Sequence, residues 1–308
     1  MTINEMPNNA PDVQLRIGFI GAGRVATTLA TAWQAAGECI VGASSRSPAS
    51  TMALAASCPG ARVFQSATEL IEQADLIFVT VPDSMIEPVA GALPWRPGQF
   101  VVHCSAACEV DLLQHAQALG ALVGGFHPLQ IFSDPVVARQ HLAGSSVAIE
   151  ASGLLQEHLV RLAKTLDMKP LSLRPGARLS YHLAGNFAAS GLLALLAEAE
   201  NLWAESGLNR DDALSALLPL SLGTLDSARQ LGLAKAVSGP ISRGDAAMLL
   251  RHLTLAKQRP DGDALYREVL TRLVSLAQSS QRLSPTQIEA LRAVLDQAAH
   301  SPTAQANP

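Results

Sequence analysis

A glycine-rich turn near the start of the chain constrains the fold more than any other feature. A short apolar segment, 14–20, leads directly into Gly21, Gly23 and Ala26 at the spacing G-x-G-x-x-A, and a helical pattern follows. Glycine suits the tight turn and a close backbone approach to pyrophosphate, and the small third residue lets the helix pack on the strand. The sequence therefore predicts a phosphate-binding unit, with a glycine turn that binds no ligand as the alternative.

Strand and helix patterns alternate through the first half of the chain. Apolar segments between turn residues predict eight strands, at 14–20, 39–43, 62–64, 74–81, 99–103, 121–125, 145–149 and 170–173. The nearly continuous apolar run in the fourth segment is typical of a strand that is buried on both faces. We therefore predict an α/β fold, a doubly wound and mostly parallel sheet over residues 14–174.

The second half of the chain has a helical pattern only. Residues 177–207 contain no proline and carry apolar side chains on more than one face, which indicates a long buried helix. We expect residues 175–299 to form an all-helical substrate and dimerisation domain. Two chains would bury this apolar surface in an interface larger than about 2,000 Å². Residues 1–13 and 300–308 are predicted to be tails, the first of them disordered.

Composition excludes several classes of protein. Charged residues make up 16% of the chain, against roughly 25% in a typical soluble domain, so extensive disorder is excluded. The longest uninterrupted apolar run, 191–197, is far shorter than the ~20 residues of a membrane span, and the N-terminus lacks a signal pattern. A net charge of −4 without a basic cluster argues against nucleic acid. Four cysteines without metal spacing predict free thiols, no metal site and a cytoplasmic location.

The end of the second strand predicts which dinucleotide binds. NAD-binding proteins of this type place an acidic residue about 20 residues beyond the glycines, whereas this chain has Ser45 and Arg46 there. An arginine among hydroxyl groups suits the 2′-phosphate of NADP. We therefore predict NADP as the cofactor; a solvated loop arginine is the alternative.

Polar residues follow three further strands at their carboxyl ends, where ligands bind in such sheets. Asp83 follows the fourth strand and either lines the cofactor or caps the next helix. Ser105 follows the fifth strand and either binds a substrate oxygen or caps a helix. His127 follows the sixth strand and either exchanges the proton that accompanies hydride transfer or anchors a turn.

Two polar positions of the helical half need an explanation. His182 and Asn186 lie four apart on the long helix, so they share a face that meets either the cofactor cleft or a hydrogen-bonding partner in the core. Arg243 and Asp245 fit mutual pairing or helix capping, and His252 fits a structural role. The sequence leaves the roles of these last three residues open.

These residues together resemble a known group of proteins. The resemblance rests on segments 17–25, 81–83, 103–106, 127–130, 181–182, 238–240 and 243–245. It is to bacterial Rossmann-like proteins with a C-terminal domain of unknown function, often labelled NADP- or deazaflavin-coenzyme-dependent oxidoreductases. They are similar to 6-phosphogluconate, 3-hydroxyisobutyrate and prephenate dehydrogenases and to ketopantoate and pyrroline-5-carboxylate reductases.

The resemblance implies candidate catalytic residues. Prephenate dehydrogenases use a serine and a histidine at positions that look like Ser105 and His127. Hydroxyacid dehydrogenases and ketopantoate reductase use a lysine and an asparagine on the long helix, where this chain has His182 and Asn186. The bacterial group carries its asparagine where this chain has Ser190.

The resulting hypothesis is an NADP(H)-dependent oxidoreductase acting on a small carbonyl, hydroxy acid or imine. His127 would donate or accept the proton, and Ser105 and His182 would orient the substrate. The predicted cofactor-binding residues are Gly21, Gly23, Arg24, Val25, Ser45, Arg46, Val81, Pro82 and Asp83. Two alternatives stay open: an NADP-binding sensor without turnover, and electron exchange between NADP and a deazaflavin coenzyme.

Overall fold

The computed structural model describes residues 14–300, and the chain divides into two compact units at Ser190 and Gly191. The predicted tails lie outside the described residues, except that His300 ends the last helix. The predicted domain boundary, 174–175, lies before a helix that begins at Arg178 and whose first part belongs to the first unit. Polar contacts of that helix with the sheet, described below, account for the difference.

An eight-stranded sheet forms the first unit and confirms the predicted fold class. Its strands are β1 Arg16–Ile20, β2 Cys39–Ser44, β3 Arg62–Val63, β4 Leu76–Val79, β5 Phe100–His103, β6 Leu122–Pro128, β7 Ser146–Glu150 and β8 Lys169–Ser172. Their order in the sheet is β3-β2-β1-β4-β5-β6-β7-β8. The first six are parallel, β7 runs antiparallel to β6, and β8 is parallel to β7. The glycine-rich turn and the ends of β4, β5 and β6 therefore share one edge.

Helices connect the strands and cover both faces of the sheet, and one more helix follows the last strand. They are α1 Arg24–Ala35, α2 Pro48–Ser57, α3 Ala67–Gln73, α4 Ile86–Gly91, α5 Gln114–Ala118, α6 Pro135–Gln140, α7 Gly153–Thr165 and α8 Arg178–Asn186. Consecutive residues of β4 alternate between two apolar cores: Phe78 packs with Phe19 and Trp33, whereas Ile77 and Val79 pack in the other core. A sheet that is buried on both faces explains the continuous apolar run in the sequence.

Two elements differ from the sequence prediction. Strand β6 continues to Pro128, because Phe126, His127 and Pro128 pair with the antiparallel strand β7. His127 therefore lies within the strand end and not after it. The long helix is interrupted by a π-helical turn at Phe187–Gly191, between α8 and α9.

The second unit consists of helices. They are α9 Leu192–Glu205, α10 Arg210–Leu231, α11 Leu233–Ala236, α12 Gly239–Arg243, α13 Ala246–Ala256, α14 Pro260–Ser279 and α15 Pro285–His300. Its core comes from α12 to α15, with Leu253 and Leu291 fully buried at the centre. In contrast, α9 and α10 pack on each other but leave large leucine side chains exposed.

One helical stretch, Arg178–Glu205, is long and apolar enough to cross a membrane by length and composition alone. Uninterrupted apolar runs within this stretch are short, so the sequence pattern predicts a buried helix here and not a membrane span. Its exposed side chains include Leu179, Phe187 and Leu193.

Candidate functional site

The glycine-rich turn has the geometry that its sequence predicts. Gly21 has a φ of +98°, and a Cβ atom there would lie 2.7 Å from the carbonyl oxygen of Thr80. Its amide group donates to the carbonyl oxygen of Ser44 at 2.8 Å, which fixes the turn between β2 and β4. Gly21 is therefore required by the backbone conformation and by the close approach of β4.

Space beside Gly23 fits a bound phosphate. A Cβ built on Gly23 meets no atom of the described residues within 4 Å, and the residue precedes the first turn of α1. Within the described part of the chain no side chain caps this helix, so its first amide groups remain able to bind an anion. The residues present therefore fit the pyrophosphate of a dinucleotide.

The side chains of the next two predicted residues point in different directions. Arg24 is exposed and donates to the carbonyl oxygen of Ser133 at 3.3 Å. Val25 is half-buried and packs against the apolar core. Val25 thus supports the turn by packing, while Arg24 remains at the surface beside it.

Ser45 and Arg46 lie in the loop after β2, as predicted. The Ser45 hydroxyl oxygen accepts from the amide of Ser47, and the Ser47 side chain caps α2. The Arg46 side chain is exposed. Among the described residues its guanidinium has no hydrogen bond or ion pair, and its contact with a 2′-phosphate stays a prediction.

Val81, Pro82 and Asp83 form the turn after β4, and Pro82 and Asp83 are exposed. Helix α4 begins at Ile86 with Met85 in the capping position, so the alternative role of Asp83 as a cap of that helix is wrong. The Asp83 carboxylate instead lies within electrostatic range of His127.

Ser105 has a structural role in the turn after β5. Its buried hydroxyl oxygen accepts from the amides of Ala107 at 3.2 Å and Cys108 at 3.1 Å. The Ser105 amide donates to Nδ1 of His103 at 3.2 Å. Ser105 therefore closes its own turn and does not cap a helix. Its hydroxyl hydrogen remains able to donate to a substrate oxygen, so that role stays a prediction.

His127 forms a hydrogen-bonded pair with Tyr181 of α8. Its Nδ1 atom lies 3.0 Å from the Tyr181 hydroxyl oxygen, and the two rings meet edge to face. Burial, followed by the nearby Arg178 and His182 charges, lowers the pKa of His127 to about 4. Burial raises the pKa of Tyr181 to about 12. Both side chains are therefore neutral at pH 7, which corrects the expectation of a histidine that titrates near neutrality.

His182 and Asn186 are not buried against the sheet, although His182 lies within electrostatic range of His127. Both are exposed, because the face of α8 that contacts the sheet carries Arg178 and Tyr181, three residues apart. The alternative of a hydrogen-bonding partner in the core is therefore wrong for both residues, and a position at the cofactor cleft stays a prediction. Tyr181 is the residue of this helix that contacts His127 of the sheet.

Arg178 is the functional candidate that sequence reasoning missed. Its side chain is fully buried, Nε donates to Glu150 at 2.7 Å, and Nη1 donates to the carbonyl oxygen of Ser105 at 2.8 Å. The guanidinium occupies the space above Gly125, where a Cβ would lie 1.9 Å from Nη2. The one signal in the sequence is the glycine pair 124–125 inside a strand, which is typical of a close approach by another group.

The three residues of the second unit whose roles the sequence left open make contacts within that unit. Asp245 caps α13 by accepting from the amide of Met248 at 3.0 Å. Nδ1 of His252 lies 2.9 Å from the hydroxyl oxygen of Tyr266. The carbonyl oxygen of Arg243 accepts from Gln287.

Two family models match separate segments of the chain. Residues 16–107 match the family described as NADP oxidoreductase, coenzyme F420-dependent, and residues 145–273 match a domain of unknown function, DUF2520. The two matches confirm the resemblance that the sequence predicts. The first match confirms NADP as the cofactor. No curated protein matches this chain.

Solved structures of similar fold include NADP-dependent reductases. A candidate NADP oxidoreductase of Bacteroides fragilis is 26% identical, with a TM-score of 0.66 over 84% of this chain and 97% of the other. A pyrroline-5-carboxylate reductase of Streptococcus pyogenes is 16% identical, with a TM-score of 0.60 over 92% and 98%. A reductive aminase of Aspergillus terreus bound to NADPH is 17% identical, with a TM-score of 0.59 over 93% and 94%. The chain thus has the fold of NADP-dependent oxidoreductases.

Proposed function

We propose that this protein is an NADP(H)-dependent oxidoreductase that reduces a small carbonyl or imine, or oxidises the corresponding alcohol or amine. The observation that carries the proposal is the neutral His127–Tyr181 pair at the sheet edge that also holds the glycine-rich turn. The glycine-rich turn follows β1 and the pair lies at the end of β6. These two strands are three strand spacings apart, roughly 14 Å in all. The nicotinamide supplies or accepts the hydride, and the protein positions the substrate and handles the proton.

The pair keeps one hydrogen free for a substrate in either tautomer of His127. If Nδ1 donates to Tyr181, the tyrosine O–H is free; if Nδ1 accepts, Nε2 of the imidazole carries the free N–H. In reduction, a proton passes from this free group to the oxygen or nitrogen that becomes basic. The pair regains the proton from solvent, so neither residue needs to be charged before the step.

Ser105 and His182 are proposed to orient the substrate. The Ser105 hydroxyl oxygen accepts hydrogen bonds from two backbone amides, and its own hydrogen remains to donate to a substrate. His182 is exposed on α8, next to Tyr181 in sequence. Asn186 is exposed one turn further along, and a contact with substrate there stays a prediction.

Carbonyl and imine compounds are the substrates to test first. The similar structures include a reductive aminase crystallised with a keto ester and a pyrroline-5-carboxylate reductase. NADPH oxidation can be followed at its nicotinamide absorbance with panels of ketones, ketones plus amines, and cyclic imines. Turnover that is lost in His127→Asn, with NADPH binding retained, supports the proposal. Full activity of this variant contradicts it.

Electron exchange with a deazaflavin coenzyme is the second candidate, because the family description of residues 16–107 names coenzyme F420. That reaction transfers hydride without a strong side-chain acid. Reduction of F420 by NADPH at the same rate in the wild-type protein and in His127→Asn favours this candidate. If neither organic acceptors nor F420 oxidise bound NADPH, an NADP-binding sensor is the remaining function.

We also propose that the protein is a homodimer through α9 and α10. Leu193 on α9 and Leu220 and Leu222 on α10 are 64%, 69% and 62% exposed. Insertion of the apolar stretch 178–205 into a membrane would leave the leucines of α10 uncovered. A second copy of the chain covers both helices at once, and large apolar faces of this kind are typical of obligate interfaces.

A further inference from the structure

Three neighbouring strands place one row of residues under the first turn of α8. His103 pairs with Gly125, and Gly125 pairs with Glu150, in the register of β5, β6 and β7. Residues paired across a sheet project from the same face, so the side chains of His103 and Glu150 flank the empty position at Gly125. The guanidinium of Arg178 fills that position.

This guanidinium joins three elements of the site. Nε binds the Glu150 carboxylate of β7, and Nη1 binds the carbonyl oxygen of Ser105 after β5. Arg178 and Tyr181 lie three apart on α8, so they lie on the same face of the helix. Tyr181 reaches His127, two residues beyond Gly125 on β6.

Helix α8 has few apolar anchors in the first unit. Leu179 and Leu183 are 71% and 54% exposed. The side chains that hold α8 against the sheet are therefore polar. A buried guanidinium with planar, fixed donor geometry is well suited to set the position of a helix in this way.

We propose that Arg178 is a positioning residue that fixes the first turn of α8 on the His103–Gly125–Glu150 row. It thereby places the Tyr181 hydroxyl against His127 and holds the Ser105 turn. This inference rests on the proposed function for its catalytic consequence, but the placement itself can be tested without a substrate.

The electrostatic consequence of this placement can be measured at His127. The Arg178 charge contributes to the lowered pKa of His127, second to burial. The charged and titratable groups that face His127 come from three elements: Arg178, Tyr181 and His182 of α8, Asp83 after β4, and His103 of β5. Removal of a nearby positive charge favours the imidazolium form and raises the pKa.

The test is an NMR titration of His127 in histidine-labelled full-length protein, with the signal assigned by its loss in His127→Asn. We expect Arg178→Met to raise the pKa of His127 by roughly one unit or more. Arg174→Met changes an exposed arginine four residues earlier and should leave that pKa unchanged. Gly125→Ala should act like Arg178→Met, because its Cβ displaces the guanidinium without changing Arg178.

A double variant covers the case in which Arg178→Met does not fold. Arg178→Met with Glu150→Gln removes both members of the buried ion pair, which is better tolerated than removal of one member. The His127 pKa should rise in this variant too. An unchanged His127 pKa in a folded Arg178→Met, double or Gly125→Ala variant overturns the proposal.

Enzyme kinetics provide a separate measurement. With an accepted substrate, Arg178→Met should lower kcat at least tenfold and leave the Kd of NADPH unchanged. If no substrate is turned over by the wild-type protein, the proposed function fails, while the titration still decides whether Arg178 positions the pair.

Discussion

At the scale of single residues, glycines and histidines set the properties of the site. Gly21 and Gly23 belong to one motif, but glycine is needed at the two positions for different reasons. Gly21 has a positive φ, whereas Gly23 leaves space for the phosphate. His103 and His127 are neutral at pH 7 because burial lowers the pKa of each to about 4. Each of these differences leads to a distinct measurement.

The two glycines should respond differently to the same substitution. Gly21→Ala places a Cβ against the Thr80 carbonyl at a positive φ, and should lower the free energy of unfolding by about 1–3 kcal/mol. Gly23→Ala should leave stability nearly unchanged but weaken NADPH binding, because its methyl group enters the space for the pyrophosphate. Urea unfolding and a fluorescence titration with NADPH measure the two effects. Equal losses of stability would contradict this distinction.

Arg46 should determine the preference for NADPH over NADH. Loss of a hydrogen bond to a charged group costs roughly 1.5–3 kcal/mol, so Arg46→Ala should weaken NADPH binding roughly tenfold to a hundredfold. NADH binding to the same variant is the internal control and should change little. Equal affinities of the wild-type protein for the two cofactors would show that Arg46 does not bind the 2′-phosphate.

Buried histidines should make the fold sensitive to acid. In the unfolded chain His103 and His127 take up protons near their ordinary pKa of 6.5, whereas in the folded protein they do so only near pH 4. The unfolded state therefore binds more protons between these values, and the free energy of unfolding falls as the pH falls from about 6.5 to about 4. Urea unfolding at several pH values gives the dependence of the free energy of unfolding on pH. This dependence should be weaker in His103→Asn than in the exposed-site control His115→Asn.

At the scale of elements, the sheet could be predicted almost entirely from the sequence. The inner strands were identified because apolar runs between turn residues mark strands that are buried on both faces. The exposed edge strands β3 and β8 were identified from their place in the alternation of strands and helices. The extension of β6 to His127 depends on pairing with an antiparallel neighbour, which no local pattern shows. The polar face of α8 could not be predicted either, since Tyr181 and Arg178 contact residues more than 25 positions away.

Packing between α1 and α7 offers a test at this scale. Trp33 is fully buried on α1, and its ring N–H donates to the carbonyl oxygen of Leu162 on α7 at 2.9 Å. Trp33→Phe removes this bond and leaves a void, so the free energy of unfolding should fall by about 2–3 kcal/mol. Trp203→Phe removes a similar hydrogen bond, to the carbonyl oxygen of Asn209, at a more exposed site. This substitution should lower the free energy of unfolding by less than about 1 kcal/mol.

At the scale of the whole molecule, the low charge content has two structural causes. Part of the apolar excess lies in the two cores on either side of the sheet. Another part is exposed on α9 and α10, in the unit whose own core comes from the later helices. The sequence indicated this apolar excess but could not show which helices expose it. The exposed helices α9 and α10 and the core helices α12 to α15 carry similar apolar patterns.

Light scattering tests the proposed dimer. We expect twice the chain mass of 32.2 kDa at micromolar concentration, and the mass of one chain for a variant with Leu193→Lys and Leu220→Lys. Charged groups at these positions cannot be buried without a large desolvation cost. A monomeric wild-type protein would contradict the proposal, and binding to lipid vesicles without self-association would favour a membrane as the partner of the apolar stretch 178–205.

The central claim is that the His127–Tyr181 pair supplies the proton in an NADPH-dependent reduction. Its most direct test is the kcat of Tyr181→Phe with an accepted carbonyl or imine, measured beside the Kd of NADPH. The phenyl ring keeps the packing but removes the hydroxyl, so kcat should fall roughly a hundredfold or more with the Kd unchanged. A Tyr181→Phe variant that turns over at the wild-type rate would contradict the claim.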